Sequence, residues 1–517
     1  MTETSAVGPG HDTGGDGRPF PPGEYPLVIV GSGPGGLQLS YSLRRLGVEH
    51  ATLSADDAPG GMFRRWPLFQ RLLSWTKPFA PVERGTAAYE RYDWNSLLGD
   101  AREHRALQPE FMDGTSYFPS RPAMEANLVA FAERTRLVVR YGCRWTATRR
   151  EDGPDGERFV LETTDGEYSA PLLVFAVGIA EPYTPSFPGS ELSAHYAATR
   201  PAETYAGRRV FVIGKQNSGF EVASGLLAWA SRILVASPSP TKVSINTRSL
   251  VGVRARYVQP YEDHVLGGGV TVLDAAIQSL ARDGDGLAVT IGPTGGGELR
   301  VAVDDVIAAT GFVCPLEDLP ALGVAVYGNS RIPAQTPFWE STTVPGIHFA
   351  GTISQGSTGL MKRGLPSNSG AVHGARYNAR VLARHLASSR FGRAPEPRPI
   401  PAVDLVDFCL GEIAACPELW HQKAYLARVV TVDPDEGIRD AGIVPLAHVL
   451  DAGGPAAIIL TVEADGSGAI YPVVYLRHAG GRLEEHALEP DLLLDYQAEP
   501  YRRRLAEIVR RVVGAAA

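Results

Sequence analysis

Apolar and polar positions alternate along this chain in blocks that predict strand, turn and helix in repeating order. Leu27-Val28-Ile29-Val30 is a short β-prone apolar run ending in the glycine-rich turn Gly31-Ser32-Gly33-Pro34-Gly35-Gly36. From Leu37 to Leu46 apolar residues return at helical spacing, and Val48–Ser54 reads as a second strand. Ser120 is placed to cap a helix over Met124–Arg134, with Leu128, Val129, Phe131 and Ala132 as its apolar face. Leu137–Arg150 and Arg158–Thr164 read as a β-meander around Asp152-Gly153-Pro154-Asp155-Gly156. Leu172–Gly178 is a buried strand ending at glycine.

The pattern then starts again. Arg209–Ile213 runs into Gly214-Lys215-Gln216-Asn217-Ser218-Gly219, a helix is predicted over Phe220–Ala230, and Ile233–Ser237 is the next strand. Val301–Ala309 is predicted as one strand leading to Thr310-Gly311-Phe312, and Val344–Gly351 as another ending in glycine. Ala371–Leu386 is helical. The proline-rich linker Arg393–Pro401 marks a boundary. Beyond it a separate region is predicted, with a helix over Cys409–Leu426, strands near Ala457–Val462 and Ile470–Leu476, and a terminal helix over Tyr501–Val513.

Each glycine turn between a strand and a helix has the form of a dinucleotide cradle. In the first turn Gly31 permits the tight turn, Gly33 lets backbone approach a pyrophosphate, and Gly36 lets helix and strand pack; in the second the central glycine is replaced by Gln216, so that turn is imperfect. The helix N-terminus offers unpaired N–H groups to the phosphates. Two such turns about 180 residues apart predict two dinucleotides, since each βαβ unit binds one. The fold class is therefore α/β, with two Rossmann-like domains and a small C-terminal α/β domain. Residues 24–196 with 330–392 form the first domain, 197–329 the second and 402–517 the third.

A length of 517 residues suits about three domains. A net charge of −8 argues against a nucleic-acid-binding face. Cys143, Cys314, Cys409 and Cys416 form no CxxC pair. That excludes the redox-active dithiol of a flavin disulfide reductase and fits a reducing cytosol. Residues 1–23 lack the apolar core of a signal peptide and read as a disordered leader. No apolar run approaches the ~18 residues of a membrane span.

Site residues follow from the turns. Gly31, Ser32, Gly33, Pro34 and Gly36 form the first cradle. Ser54 ends the second strand where a ribose-binding carboxylate usually stands, with Asp56 and Asp57 just beyond. Gly60-Gly61 and Met62 permit a further close approach. Aromatic and irregular, the segment Arg64–Arg84 carries Trp66, Phe69, Trp75, Phe79 and Lys77 and reads as a loop able to line a bound ring system. Gly214, Lys215, Gln216, Asn217, Ser218 and Gly219 form the second cradle, with Thr310 and Gly311 at the end of that domain. No acidic residue ends Ile233–Ser237, while Ser237, Lys242 and Arg248 are placed to meet a 2′-phosphate, which favours NADPH over NADH.

With both glycine turns, Ala309-Thr310-Gly311-Phe312 and Ile347–Gly351, the chain resembles the class B flavin-containing monooxygenases. Five runs carry a closer resemblance: Asp93–Leu98, Tyr117-Phe118-Pro119, Phe187–Glu191, Val251–Ala255 and His373-Gly374-Ala375-Arg376-Tyr377. They point to a branch holding bacterial amine and amino-acid N-monooxygenases of the nitrosuccinate-forming type and an ER flavoprotein associated with degradation. Two features depart from the family. His195 lies two residues beyond its place in the signature that starts at Phe187, and Trp75-Thr76-Lys77 occupies the region of the active-site asparagine. With no ER signal or retention tail in the sequence, the ER role is not expected to transfer.

The resemblance implies FAD in the first cradle, NADPH in the second, and oxygen transfer from a C4a-hydroperoxyflavin to an amine nitrogen. It implies Lys77 and Asn217 as catalytic groups, Trp75 at the flavin, and Lys362, Arg363 and Arg376 on a substrate carboxylate. Expected partners are a small amine or amino acid, aspartate for example, and O2, in antibiotic biosynthesis in the cytoplasm. Neither a nucleic acid nor a membrane is expected, and a homo-oligomer stays open. Two alternatives remain: a flavin NADPH oxidase or reductase acting on another acceptor, and a non-catalytic flavin-binding sensor.

Overall fold

A computed structural model describes residues 16–65, 71–153, 156–244, 253–254, 257–258, 269–357 and 367–514. Both predicted βαβ units are present. In the first, Val28–Val30 lies between Ala51–Leu53 and Leu173–Phe175, and Ile347–Phe349 completes a four-stranded parallel sheet. Every residue of these short strands is buried. Parallel sheets covered on both faces carry such continuous apolar runs. The helix Pro34–Arg45 follows the first turn.

The predicted meander is there with a third strand. Trp145–Gly153, Gly156–Thr163 and Gly166–Ala170 pair antiparallel, and Gly23–Glu24 adds a parallel edge. The leader is therefore shorter than expected. Phe20 is buried, and Asp16 pairs with Arg140 at 2.8 Å. Residues 1–15 lie outside the described residues.

In the second unit Arg209–Ile213 lies between Arg232–Ser237 and Asp305–Ala308, all parallel. Periodicity missed the long hairpin Val270–Asp283 and Gly286–Pro293, which extends this sheet. The run Val301–Ala309 is two strands rather than one. Leu299–Val303 pairs antiparallel within the hairpin side, and Asp305–Ala308 pairs parallel with Arg209–Ile213. Asp304 makes the break, accepting hydrogen bonds from the Arg209 backbone N–H and guanidinium, both at 2.7 Å. Domain limits shift as well. Ala194–His195 belongs to this sheet's edge, and Cys314, Leu316, Leu319 and Val324 are buried in the first unit's core.

The C-terminal region is not separate. Its antiparallel sheet begins at Arg398–Pro399, within the expected linker. One apolar core joins Leu39 and Leu43 of the first helix, Leu382 and Leu386 of the helix Val372–Phe391, and Leu426, Leu460, Val474 and Ile508 of the C-terminal region. The expected helix over Cys409–Leu426 is two: Leu405–Ala415 and Pro417–His421. Cys416 is extended because a residue before proline is pushed out of the helical region. Leu426 already begins the strand Leu426–Asp433. Gln422 donates to Asn378 Oδ1 at 2.7 Å and Ser369 Oγ at 3.0 Å, and accepts from the Asn368 N–H at 2.9 Å. The C-terminal region thus holds the start of the helix Val372–Phe391 in place.

His348, on the strand beneath that helix, is 1% exposed. Burial lowers its pKa from 6.5 to about 4, opposed by Glu340 and assisted by the cations Arg390 and His385. The unfolded chain therefore binds the proton first, and this contribution is complete above pH 6.5 and shrinks as pH falls toward 4. His373 and His421 shift in the same direction, also chiefly through burial. The urea midpoint is expected to drop between pH 7 and pH 5, with His348 contributing a slope of up to ~1.4 kcal/mol per pH unit. His348→Gln should flatten that slope; an unchanged profile would refute the assignment.

Candidate active site

The first glycine turn borders a cavity of about 760 Å³. Val30 through Gly35, Ser54 through Asp56 and Gly61 through Phe63 form one wall, while Trp145, Gly351, Thr352 and Val372 close others. Three glycines make the turn possible. Gly31 has φ +117°, and a Cβ there would lie 2.6 Å from the Ala176 carbonyl oxygen. A Cβ on Gly36 would lie 1.9 Å from the Gly31 oxygen, and one on Gly35 would lie 2.3 Å from Gly351 Cα. Gly33 differs: a Cβ there meets only Gly61 Cα, at 3.9 Å. Its hydrogen would be replaced by a group filling open cavity, the space a pyrophosphate takes. Gly33 also caps the helix Pro34–Arg45 with no side-chain bond and no acidic residue in the first turn, so the helix N–H groups face the cavity unscreened.

Other expected residues take their places here. Ser54 and Ser32 share a hydrogen bond of 2.7 Å at the cavity edge. Asp56 lines the wall beside them, 3.4 Å from Arg65. Gly61, at φ +58°, faces Gly33, and Met62 lines the cavity next to it. Pattern reading did not find Trp145 or Thr352. They come from the meander and from the turn after Ile347–Phe349, and the glycine ending that strand, Gly351, was the one signal.

The second turn repeats the geometry. Gly214 has φ +113°, and its Cβ would lie 2.4 Å from the Ala309 oxygen; a Cβ on Gly219 would lie 2.0 Å from the Gly214 oxygen. Gln216 caps the helix Asn217–Leu226 in extended conformation. The side chain of Asn217 accepts from the Arg254 N–H at 3.0 Å. Ser218 is half-buried at the start of the helix. The Lys215 side chain is turned inward, 1% exposed, and paired with Asp274, which stands in register with Ser237 on the neighbouring strand. Its charge is thus held at the strand ends and is not presented by the turn. Thr310 donates to the Tyr183 carbonyl and Gly311 sits at φ +88° with open space around it. Lys242 is exposed. Arg248, Lys362, Arg363, Trp66 and Phe69 lie outside the described residues.

Three expectations are corrected. Lys77 is exposed and is not part of the cavity wall. Trp75 does not line the cavity either; it packs on Trp94 at 4.9 Å, while Phe79 is 91% exposed. Arg376 touches the cavity, but its guanidinium is committed elsewhere. It donates to the carbonyls of Ser96, Asp93 at 2.7 Å and Glu90 at 3.3 Å, and to Tyr377 Oη at 3.2 Å. The carbonyls of Ser96 and Asp93 gain their partner from it, while that of Glu90 is shared with His421 Nε2 at 2.9 Å. Trp94 stacks on His373 with centroids 4.2 Å apart. The runs Asp93–Leu98 and His373–Tyr377 are therefore two halves of one buried joint, not a substrate clamp.

All four cysteines are free and buried. Among the described residues no cluster of His, Cys, Asp and Glu could hold a metal, and no helix is long and apolar enough to cross a membrane. The cavity fits the adenine dinucleotide of a flavin in its phosphate cradle, its flanking Asp56 and its size. The second turn repeats the close backbone approaches at Gly214 and Gly219 and carries Gln216 where the first has Gly33.

The chain is similar to known proteins in sequence and in fold. Over 442 residues the chain is 27% identical to the FAD-dependent oxidoreductase domain-containing protein 2 of Mus musculus, covering 78% of this chain and 64% of that protein. The match thus spans less than two thirds of that relative. The bacillithiol disulfide reductase Bdr of Bacillus cereus superposes with a TM-score of 0.55 at 22% identity, covering 71% of this chain and 99% of that one. A flavin-containing monooxygenase from Stenotrophomonas maltophilia superposes with a TM-score of 0.52 at 21% identity, covering 71% and 98%. These two share the fold. The family model described as pyridine nucleotide-disulphide oxidoreductase matches residues 28–351, well over half of the chain. With both glycine turns inside that span, the chain belongs to the pyridine nucleotide-disulphide oxidoreductase family, and its cofactors are FAD and NADP(H).

Proposed function

We propose that this protein is an FAD- and NADPH-dependent monooxygenase of the cytoplasm that hydroxylates the amine nitrogen of a small amino acid or related amine. The observation that carries the reading is the pair of phosphate cradles in a chain whose four cysteines are scattered and buried. A member of a disulphide oxidoreductase family without a dithiol needs another acceptor for its electrons, and O2 with an amine is the acceptor to which the resemblance of Asp93–Leu98 and His373–Tyr377 points.

Bound flavin supplies hydride acceptance and activation of dioxygen. The protein's own residues do the rest. Gly33 and the first-turn N–H groups of Pro34–Arg45 seat the pyrophosphate. Asp56 and Ser54 take the adenosine ribose. Asn217, held by the Arg254 N–H, orients the nicotinamide half. Thr352 and Val372 border the cavity on the side of Gly351. Lys362 and Arg363 are the cations proposed for a substrate carboxylate.

The test is NADPH consumption under 18O2 across a panel of amines and amino acids. Labelled hydroxylamine product formed in step with NADPH supports the proposal. Stoichiometric H2O2 with every amine makes the protein an oxidase. A flavin that NADPH does not bleach makes it a sensor.

A further inference from the structure

The two phosphate turns correspond position by position. Gly31 matches Gly214, with φ +117° and +113°. Gly36 matches Gly219, each with its Cβ position about as close to the oxygen of the turn's first glycine, 1.9 and 2.0 Å. Of the three fingerprint glycines only the middle one is replaced, Gly33 by Gln216. Gly33 sits at φ −73°, ψ −177°, and Gln216 at φ −108°, ψ −169°. Both are extended, a conformation open to any L-residue. At Gly33 the fold itself makes no demand for glycine, since the nearest atom to an added Cβ is 3.9 Å away. The demand comes from the ligand. At the second turn that demand is not met: Gln216 is exposed, and its side chain makes no capping bond to the helix it precedes.

We propose that Gln216 is a specificity-determining residue of the nicotinamide site: its side chain stands in the phosphate seat of the second turn and holds the pyrophosphate away from the helix N–H groups, so that NADP(H) binds weakly and exchanges freely. The inference rests on the reading that the second turn seats the nicotinamide dinucleotide. Charge–dipole and N–H contacts at a helix terminus fall off within its first turn, so displacement by one side chain removes most of their contribution. Lys215 does not compensate, because its buried ammonium is paired with Asp274. The first turn, with no side chain at Gly33, keeps its dinucleotide; the second is built to let go.

The experiment is isothermal titration of the FAD-loaded full chain with NADP+, comparing wild type, Gln216→Ala and Gln216→Gly. The expected result is binding about tenfold tighter in Gln216→Gly, with Gln216→Ala between, and with FAD content and melting temperature unchanged. Equal or weaker binding in Gln216→Gly overturns the proposal, weaker binding showing that the amide donates to the phosphates. If NADP+ binds none of the three and NADPH leaves the flavin oxidised, the assignment of the second turn falls too. Binding to wild type without tightening in Gln216→Gly sinks the inference about Gln216 alone.

Discussion

Gly33→Gln yields a folded, colourless protein. The substitution meets no protein atom nearer than 3.9 Å at Cβ, and φ −73° suits an L-residue, so secondary structure and melting temperature should stay near wild type. The added side chain projects into the cavity where the flavin pyrophosphate must sit. Because this cavity is walled on several sides, the ligand cannot shift outward as it can at the exposed second turn. A fall in FAD affinity on the order of a hundredfold, about 2.7 kcal/mol, is expected. Measurement is by absorbance of the purified protein and titration with FAD. Gly36→Val makes the contrast, since its Cβ would lie 1.9 Å from the Gly31 oxygen. That variant should lose fold and flavin together. Full FAD content in Gly33→Gln would remove the first cradle from the site.

The second large effect is Arg376→Met. Its guanidinium is buried and satisfies the carbonyls of Glu90, Asp93 and Ser96. Beside it, burial raises the Glu90 carboxyl pKa, opposed by Arg380 and Arg376. Glu90 in turn accepts from Tyr377 Oη at 3.0 Å. Removing the guanidinium leaves the buried carbonyls of Asp93 and Ser96 without this partner and takes one of two cations from beside the Glu90 carboxyl. A loss of about 3–5 kcal/mol is expected, as for breaking a buried charged network from one side. The urea midpoint reads it. A substrate-binding arginine would behave differently: unchanged stability and a raised KM. Stability like wild type in Arg376→Met would restore the substrate role.

The comparison of those two residues shows what kind of information a linear sequence carries. Gly33 was assignable from its neighbours, because a phosphate turn is local: strand, three glycines and helix lie within twenty residues of each other. Arg376 was not. Its partners are some 280 positions away along the chain, and nothing in a helix bearing one arginine says whether it faces a substrate or a ring of carbonyls. Lys77 and Trp75 failed for the same reason, since the loop that carries them packs against Trp94 and the surface instead of the cavity.

By itself, then, the sequence determined the parts whose physics is short-range. These are the two cradles with Gly31, Gly36, Gly214 and Gly219, the α/β class, the cap at Ser120, which accepts from the Ala123 N–H at 3.3 Å, and the absence of a dithiol. Tertiary structure alone decided where distant segments meet. It broke Val301–Ala309 at Asp304, brought Asp56 to the cavity wall, joined the C-terminal region to the flavin-side core, and turned Asp93–Leu98 and His373–Tyr377 into one joint. Local steric and hydrogen-bond rules act between neighbours in the chain and can be read there. Burial and partner choice depend on which surfaces the folded chain brings together.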